Sequence, residues 1–122
     1  MKEILENYFI AWIKKDWNLL KNTIDENCIV IECNGPIYEG ILEIEKWFKT
    51  WNKNNTVTRW TITNKLEDIE NKTIIFEWEF FCNYNKVDYE FDGCTIAVIK
   101  NNKIVLLKEF MMDRKHNYPY KK

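Results

Sequence analysis

Four long runs fill the second half of the chain: "VTRWTITNKLEDI", "TIIFEWEFFCNY", "VDYEFDGCTIAVI" and "KIVLLKEFMMD". Each is rich in β-branched and aromatic residues with partial alternation, the pattern of a half-buried strand. Short Asn/Lys turns at 70–72, 84–86 and 100–102 join them, so neighbours must pair antiparallel as a meander. At ~3.4 Å per residue, a strand of about 12 residues spans roughly 40 Å. A sheet that long does not stay flat, because twist accumulates along its strands. The meander therefore has to curl, and whatever else the chain forms must fit the concave side. Gly93 inside the third run reads as a bulge that helps the bend, with an Asp92-Gly93 hairpin turn as the alternative.

The first half supplies the filling. Ile4, Leu5, Tyr8, Phe9, Trp12 and Ile13 recur at helical spacing and form one apolar stripe. Asp16 reads as the N-cap of a second, short helix whose buried face is Trp17, Leu20 and Ile24. Residues 28–33 read as a strand, and "NGPIYEG" as the loop after it. From Ile41 to Asn52 the period is helical again, with Ile44, Trp47, Phe48 and Trp51 on one face. No linker, repeat or low-complexity tract interrupts residues 1–122, which read as a single domain. The expected class is α+β, with three helices packed in the concave side of a strongly curved, mainly antiparallel sheet.

Composition narrows the function. Aromatic residues make up 16% of the chain, including 6 Trp, enough to fill a thick core or to line a cavity. A net charge of -1 and interleaved lysines and acids give no basic stripe, so no nucleic-acid partner is expected. The amphipathic start "MKEILENYFIAW" carries charges throughout and reads as neither signal peptide nor membrane span. Four cysteines without a C-x-x-C pair read as free thiols in a reducing, cytoplasmic compartment. Serine is absent and the lone histidine, His116, lies near the tail. That leaves carboxylate, tyrosine, lysine and cysteine for acid–base work, with no cofactor and no metal expected.

The order helix, helix, strand, helix, then four meandering strands resembles the nuclear-transport-factor-2-like superfamily. That group includes ketosteroid isomerases, SnoaL-like polyketide cyclases and limonene-epoxide hydrolases. "YFIAWIKKDWNLL", "IVIECNGPIYEGILEIEKWF" and "NKIVLLKEF" carry the resemblance. It implies a cystatin-like, cone-shaped α+β barrel with a pocket at its open end, and a homodimer formed through the outer sheet face. It also implies site residues. The isomerase tyrosine and the acid after its first strand fall without gaps on Tyr8 and Glu32, 24 residues apart. Asp16 matches the acid that opens the second helix. The isomerase's second oxyanion acid falls near Thr95, a weaker hydroxyl donor, and Glu109 sits near a pocket carboxylate of the epoxide hydrolases.

Each candidate carries two readings. Glu32 is either a strand-end acid accepting hydrogen bonds from the Asn34-Gly35 loop, or a general base whose pKa burial has raised. Tyr8 is either ordinary core or a donor to a developing oxyanion. Glu109, on a face with Val105, Leu107 and Met111, is either in the cavity or at an interface. Trp12, Trp47, Trp60 and Trp78 are packing or ligand platform. Ile74, Phe76, Trp78, Phe80 and Cys82 share the inward face of their run, with Glu77 and Glu79 outward. Cys33 and Cys82 read as small hydrophobes rather than nucleophiles. The expectation is a cavity for a small, mostly apolar organic molecule, with proton transfer by Glu32 and Tyr8 or by Glu32 and Glu109. A ligand-binding or dimerisation module without chemistry is the rival.

Overall fold

The computed structural model describes residues 1–121. The chain runs α1 (Lys2–Lys14), α2 (Trp17–Lys21), β1 (Ile24–Ile31), β2 (Ile37–Glu39), α3 (Ile41–Asn54), β3 (Thr56–Asp68), β4 (Thr73–Tyr84), β5 (Val87–Lys100) and β6 (Lys103–Met112). Six strands form one curved sheet in the order β2-β1-β6-β5-β4-β3. All neighbours are antiparallel except β1 and β6, which run parallel. The three helices pack on the concave face, giving the α+β architecture expected from the pattern. No helix is long and apolar enough to cross a membrane among the described residues.

Turn chemistry sets the meander. Asn85-Lys86 and Asn101-Asn102 both take positive φ at their two central positions, the two-residue hairpin geometry that matches strand twist. Asn adopts that conformation at small cost because its short polar side chain bonds locally. α1 stops at Lys15, whose left-handed backbone turns its N–H onto the Ala11 and Trp12 carbonyls. Asp16 then caps α2 by accepting from the Leu19 N–H at 3.1 Å.

Several expectations shift by a few residues. β1 spans 24–31 rather than 28–33, so Ile24 opens a strand instead of closing α2, and Glu32 and Cys33 lie just beyond it. Part of the expected loop is a strand: Asn34 and Gly35 turn the chain back and β2 pairs with β1. Ile13, expected in the buried stripe of α1, is exposed, and Ala11 is buried instead. Val105 does not share the inward face with Leu107. The ladder slips there, so Ile104 and Leu107 are the buried pair.

Gly93 corrects both sequence readings. It sits in an unbroken ladder, opposite Trp78 on one side and Met111 on the other, and is neither bulge nor turn. The bends fall elsewhere, at register slips between Val57 and Arg59, Ile62 and Asn64, and Val98 and Ile99. Glycine is required at 93 because Trp78 lies across it. A Cβ would stand 2.5 Å from the indole and 2.2 Å from the Phe110 carbonyl oxygen. Gly93→Ala should therefore destabilise the fold by about 1–3 kcal/mol, read as a lower midpoint in urea unfolding.

Candidate functional site

Between the helices and the concave sheet lies an open cavity of about 990 Å³. One wall comes from the helical layer. Trp12 packs against Trp47 and Phe48 with ring centroids 4.8 and 4.6 Å apart. The opposite wall is the inward face of β3–β5, where Trp60 meets Trp78 edge-on at 5.5 Å and Phe80 at 5.0 Å. β-strand alternation alone puts Trp78, Phe80 and Cys82 on that face and sends Glu77 and Glu79 outward. Outside, Glu79 and Asp92 pair with Arg114, and Glu77 accepts from Asn64.

The acids enter through the parallel strands. Val30 pairs with Leu107 and Ile31 with Lys108, so the same register places Glu32 beside Glu109 on the inward face. Parallel strands lie ~4.8 Å apart, which brings the two carboxyl groups into direct electrostatic contact. The Glu32 Oε1 accepts from the Tyr38 hydroxyl at 2.9 Å. Tyr38 opposes Val30 across the β1–β2 hairpin and stacks on Trp47 at 4.5 Å and 12°. That ring stack fixes the phenol, and the phenol fixes the carboxylate.

Burial raises the Glu32 pKa, and the Tyr38 hydrogen bond partly offsets it. The same burial and bond push the Tyr38 phenol up to about 12, keeping it a donor. Glu109 is raised further, to about 8, by desolvation first and by the Glu32 charge second. Thr95 works against that shift from its cross-strand position. Its hydroxyl oxygen accepts from the Trp78 indole at 2.8 Å, which leaves its proton for Glu109. Burial and the neighbouring carboxylate therefore favour retention of a proton on Glu109.

Of the residues singled out from sequence, Trp12, Glu32, Trp47, Trp60, Trp78, Cys82 and Glu109 all stand on the cavity wall. Tyr8 and Thr95 do not. Both are completely buried behind it. The Tyr8 hydroxyl faces the Trp12 indole without reaching hydrogen-bond geometry, and has no partner among the described residues. Burial first and the Glu109 charge second raise its pKa well above that of a free phenol. Sequence reasoning missed Tyr38, although the Asn34-Gly35 turn followed by alternating "IYE" was the available signal. It also understated Cys33, which lines the cavity next to both acids. Burial pushes that thiol up to about 11, with Glu109 and then Glu32 adding to it, so it stays protonated. No three metal-ligating side chains converge among the described residues.

A curved, mainly antiparallel sheet with three helices on its concave face is the nuclear-transport-factor-2-like fold. Residues 5–107 match the SnoaL-like domain family, and the chain belongs to it. No curated protein sequence matches it. Solved structures do match, at identities that speak for the fold alone. One is a ketosteroid-isomerase-like protein of Catenulispora acidiphila in complex with trimethylamine: TM-score 0.78, 15% identity, 92% of this chain and 86% of that one. An LEH-like epoxide hydrolase of M. tuberculosis matches with TM-score 0.80 and 10% identity, over 90% and 80% of the chains. A proposed isomerase of Bacillus subtilis matches with TM-score 0.80 and 17% identity, over 90% and 84%.

The carboxyl shift makes a stability prediction whose sign is fixed. The folded pKa of Glu109, about 8, exceeds the ordinary 4.5, so the folded chain retains a proton the unfolded chain has released. Stability is then lost as pH rises across that window. Glu109→Gln should match the natural chain in thermal midpoint near pH 5 and exceed it increasingly toward pH 8.

Proposed function

We propose that the cavity binds a small organic molecule and moves a proton on it. One observation carries the reading: two carboxyl groups from neighbouring strands, Glu32 and Glu109, face one apolar hollow, and burial raises the pKa of both, that of Glu109 to about 8. Glu32, charged and oriented by Tyr38, takes the role of general base. Glu109, protonated, donates a hydrogen bond or a proton to oxygen on the substrate. Pairs of acids driven apart in pKa by their surroundings are a recurrent solution for acid–base work at neutral pH. Tyr8 backs Glu109 from α1 and contributes a buried hydroxyl dipole rather than a direct contact. Isomerisation, cyclisation and hydrolysis all use this division of labour. Similarity to an epoxide hydrolase and a proposed isomerase fits those classes.

The rival reading is a ligand-binding domain without chemistry, and the position of Tyr8 behind the wall favours it. Glu32→Gln separates the two. Turnover of a converted substrate should fall ~100-fold or more while binding survives. Unchanged turnover would remove the base assignment.

The same proposal includes a homodimer in a cytoplasmic setting. Leu66, Ile75 and Ile96 align across the convex face, with Val98 and Leu106 in the next row. Nothing among the described residues covers this apolar band, and a second copy with the same band would. The four cysteines are all free, as in a reducing compartment. Sedimentation at tens of micromolar should give a dimer, and a single monomeric species would count against it.

A further inference from the structure

A base that removes a proton from carbon leaves negative charge on the substrate, usually on an oxygen, and that oxygen needs a donor. Few hydroxyl groups are placed to meet it. Tyr8 and Thr95 are completely buried behind the wall, and the Thr95 oxygen is already engaged by the Trp78 indole. The Cys33 thiol is a weak donor. Tyr38 differs from all three. It lines the cavity, is only half-buried, and touches the base itself, its hydroxyl donating to the Glu32 Oε1 at 2.9 Å.

We infer that Tyr38 is a catalytic donor as well as the residue that orients Glu32: as Glu32 takes the substrate's proton, the Tyr38 hydroxyl turns its hydrogen bond from Glu32 to the substrate oxygen. This rests on the reading of Glu32 as the base and adds the group that meets the charge the base creates.

The arrangement allows the exchange without moving the ring. Tyr38 is stacked on Trp47 at 4.5 Å and 12°, and its backbone pairs with Val30, so the phenolic oxygen is held from two sides. Only the hydroxyl hydrogen has to rotate, and it is free to do so. The partner's change of charge supplies the direction. An ionised Glu32 accepts and cannot donate, so it holds the phenolic proton. Once protonated, Glu32 becomes a donor, the Tyr38 oxygen can accept from it, and the phenolic proton is released toward the substrate. Burial first and Glu32 second push the phenol up to about 12, so Tyr38 keeps its proton and contributes a hydrogen bond. At the end of the step Glu32 carries the proton, the C–H electron pair has moved into the substrate, and the charge rests on the oxygen facing Tyr38.

Benzisoxazoles provide the probe. A carboxylate removes the ring C–H proton, the N–O bond breaks, a nitrile forms and the electron pair ends on a phenolate oxygen, followed by its absorbance. The full chain is assayed with 5-nitrobenzisoxazole and with the unsubstituted parent, whose oxygen bears more charge. Both rings should open faster than with an equal concentration of acetate, and Glu32→Gln should slow both ~100-fold or more. Tyr38→Phe keeps the ring on Trp47 and removes only the hydroxyl. It should slow the nitro compound about 10-fold and the parent at least threefold more than that. Equal slowing of both rings is the signature of a residue that only orients Glu32. That result, or no slowing at all, overturns the inference and leaves the base standing. Rates indifferent to Glu32→Gln, or no faster than acetate, overturn both. A thermal midpoint close to that of the natural chain certifies that Tyr38→Phe is folded. If the variant does not fold, the natural chain decides: its rates for the two rings should differ less than those of acetate in acetonitrile, where no donor is present, and an equal difference overturns the inference.

Discussion

Parallel pairing of β1 with β6 is the contact on which this molecule turns. Among the described residues it is the only place where the sheet joins the N-terminal half to the C-terminal meander. Its register decides the chemistry as well as the architecture. Because Ile31 stands opposite Lys108, Glu32 falls beside Glu109, and a slip by one residue would turn one acid out of the cavity. Parallel strands are distant in sequence, so this pairing depends on the helices and hairpins first bringing the two halves together.

The consequence is an electrostatic cost held in place by the surrounding structure. Two carboxyl groups in an apolar hollow repel each other and lose hydration, which would destabilise them if both ionised. The fold answers by giving each a different neighbour. Tyr38 stabilises the charge on Glu32, and Trp78 orders Thr95, which faces Glu109. Aromatic packing supports both arrangements, since Trp47 holds Tyr38 and the rings of β3–β5 hold Trp78. The same indoles that build the hollow therefore orient its acids, which is why core and site cannot be separated here.

Much of this was legible one residue at a time. Alternation in "TIIFEWEFFCNY" separated the cavity face from the outer face, and the Asn/Lys turns placed the hairpins. Capping by Asp16 followed from residue type alone. Where the pattern failed, a second chain segment was responsible. Gly93 looked like a bend, but it is there because an indole from the neighbouring strand crosses it. Val105 looked inward, but a slip against β5 rotated it out. Tyr38 sat in an apparent loop until β1 offered it a partner.

The amino-acid sequence by itself determined the three helices and the four long strands in outline, most of their apolar faces, and that the long meander must curl. Those properties depend on neighbours a few positions apart, and local periodicity and turn chemistry encode them directly. Only the tertiary structure decided that Glu32 and Glu109, 77 residues apart, shift each other's ionisation, and that Tyr8 stands behind the wall instead of on it. A carboxyl group's charge state depends on the dielectric and the charges around it, and those exist only after distant strands have met.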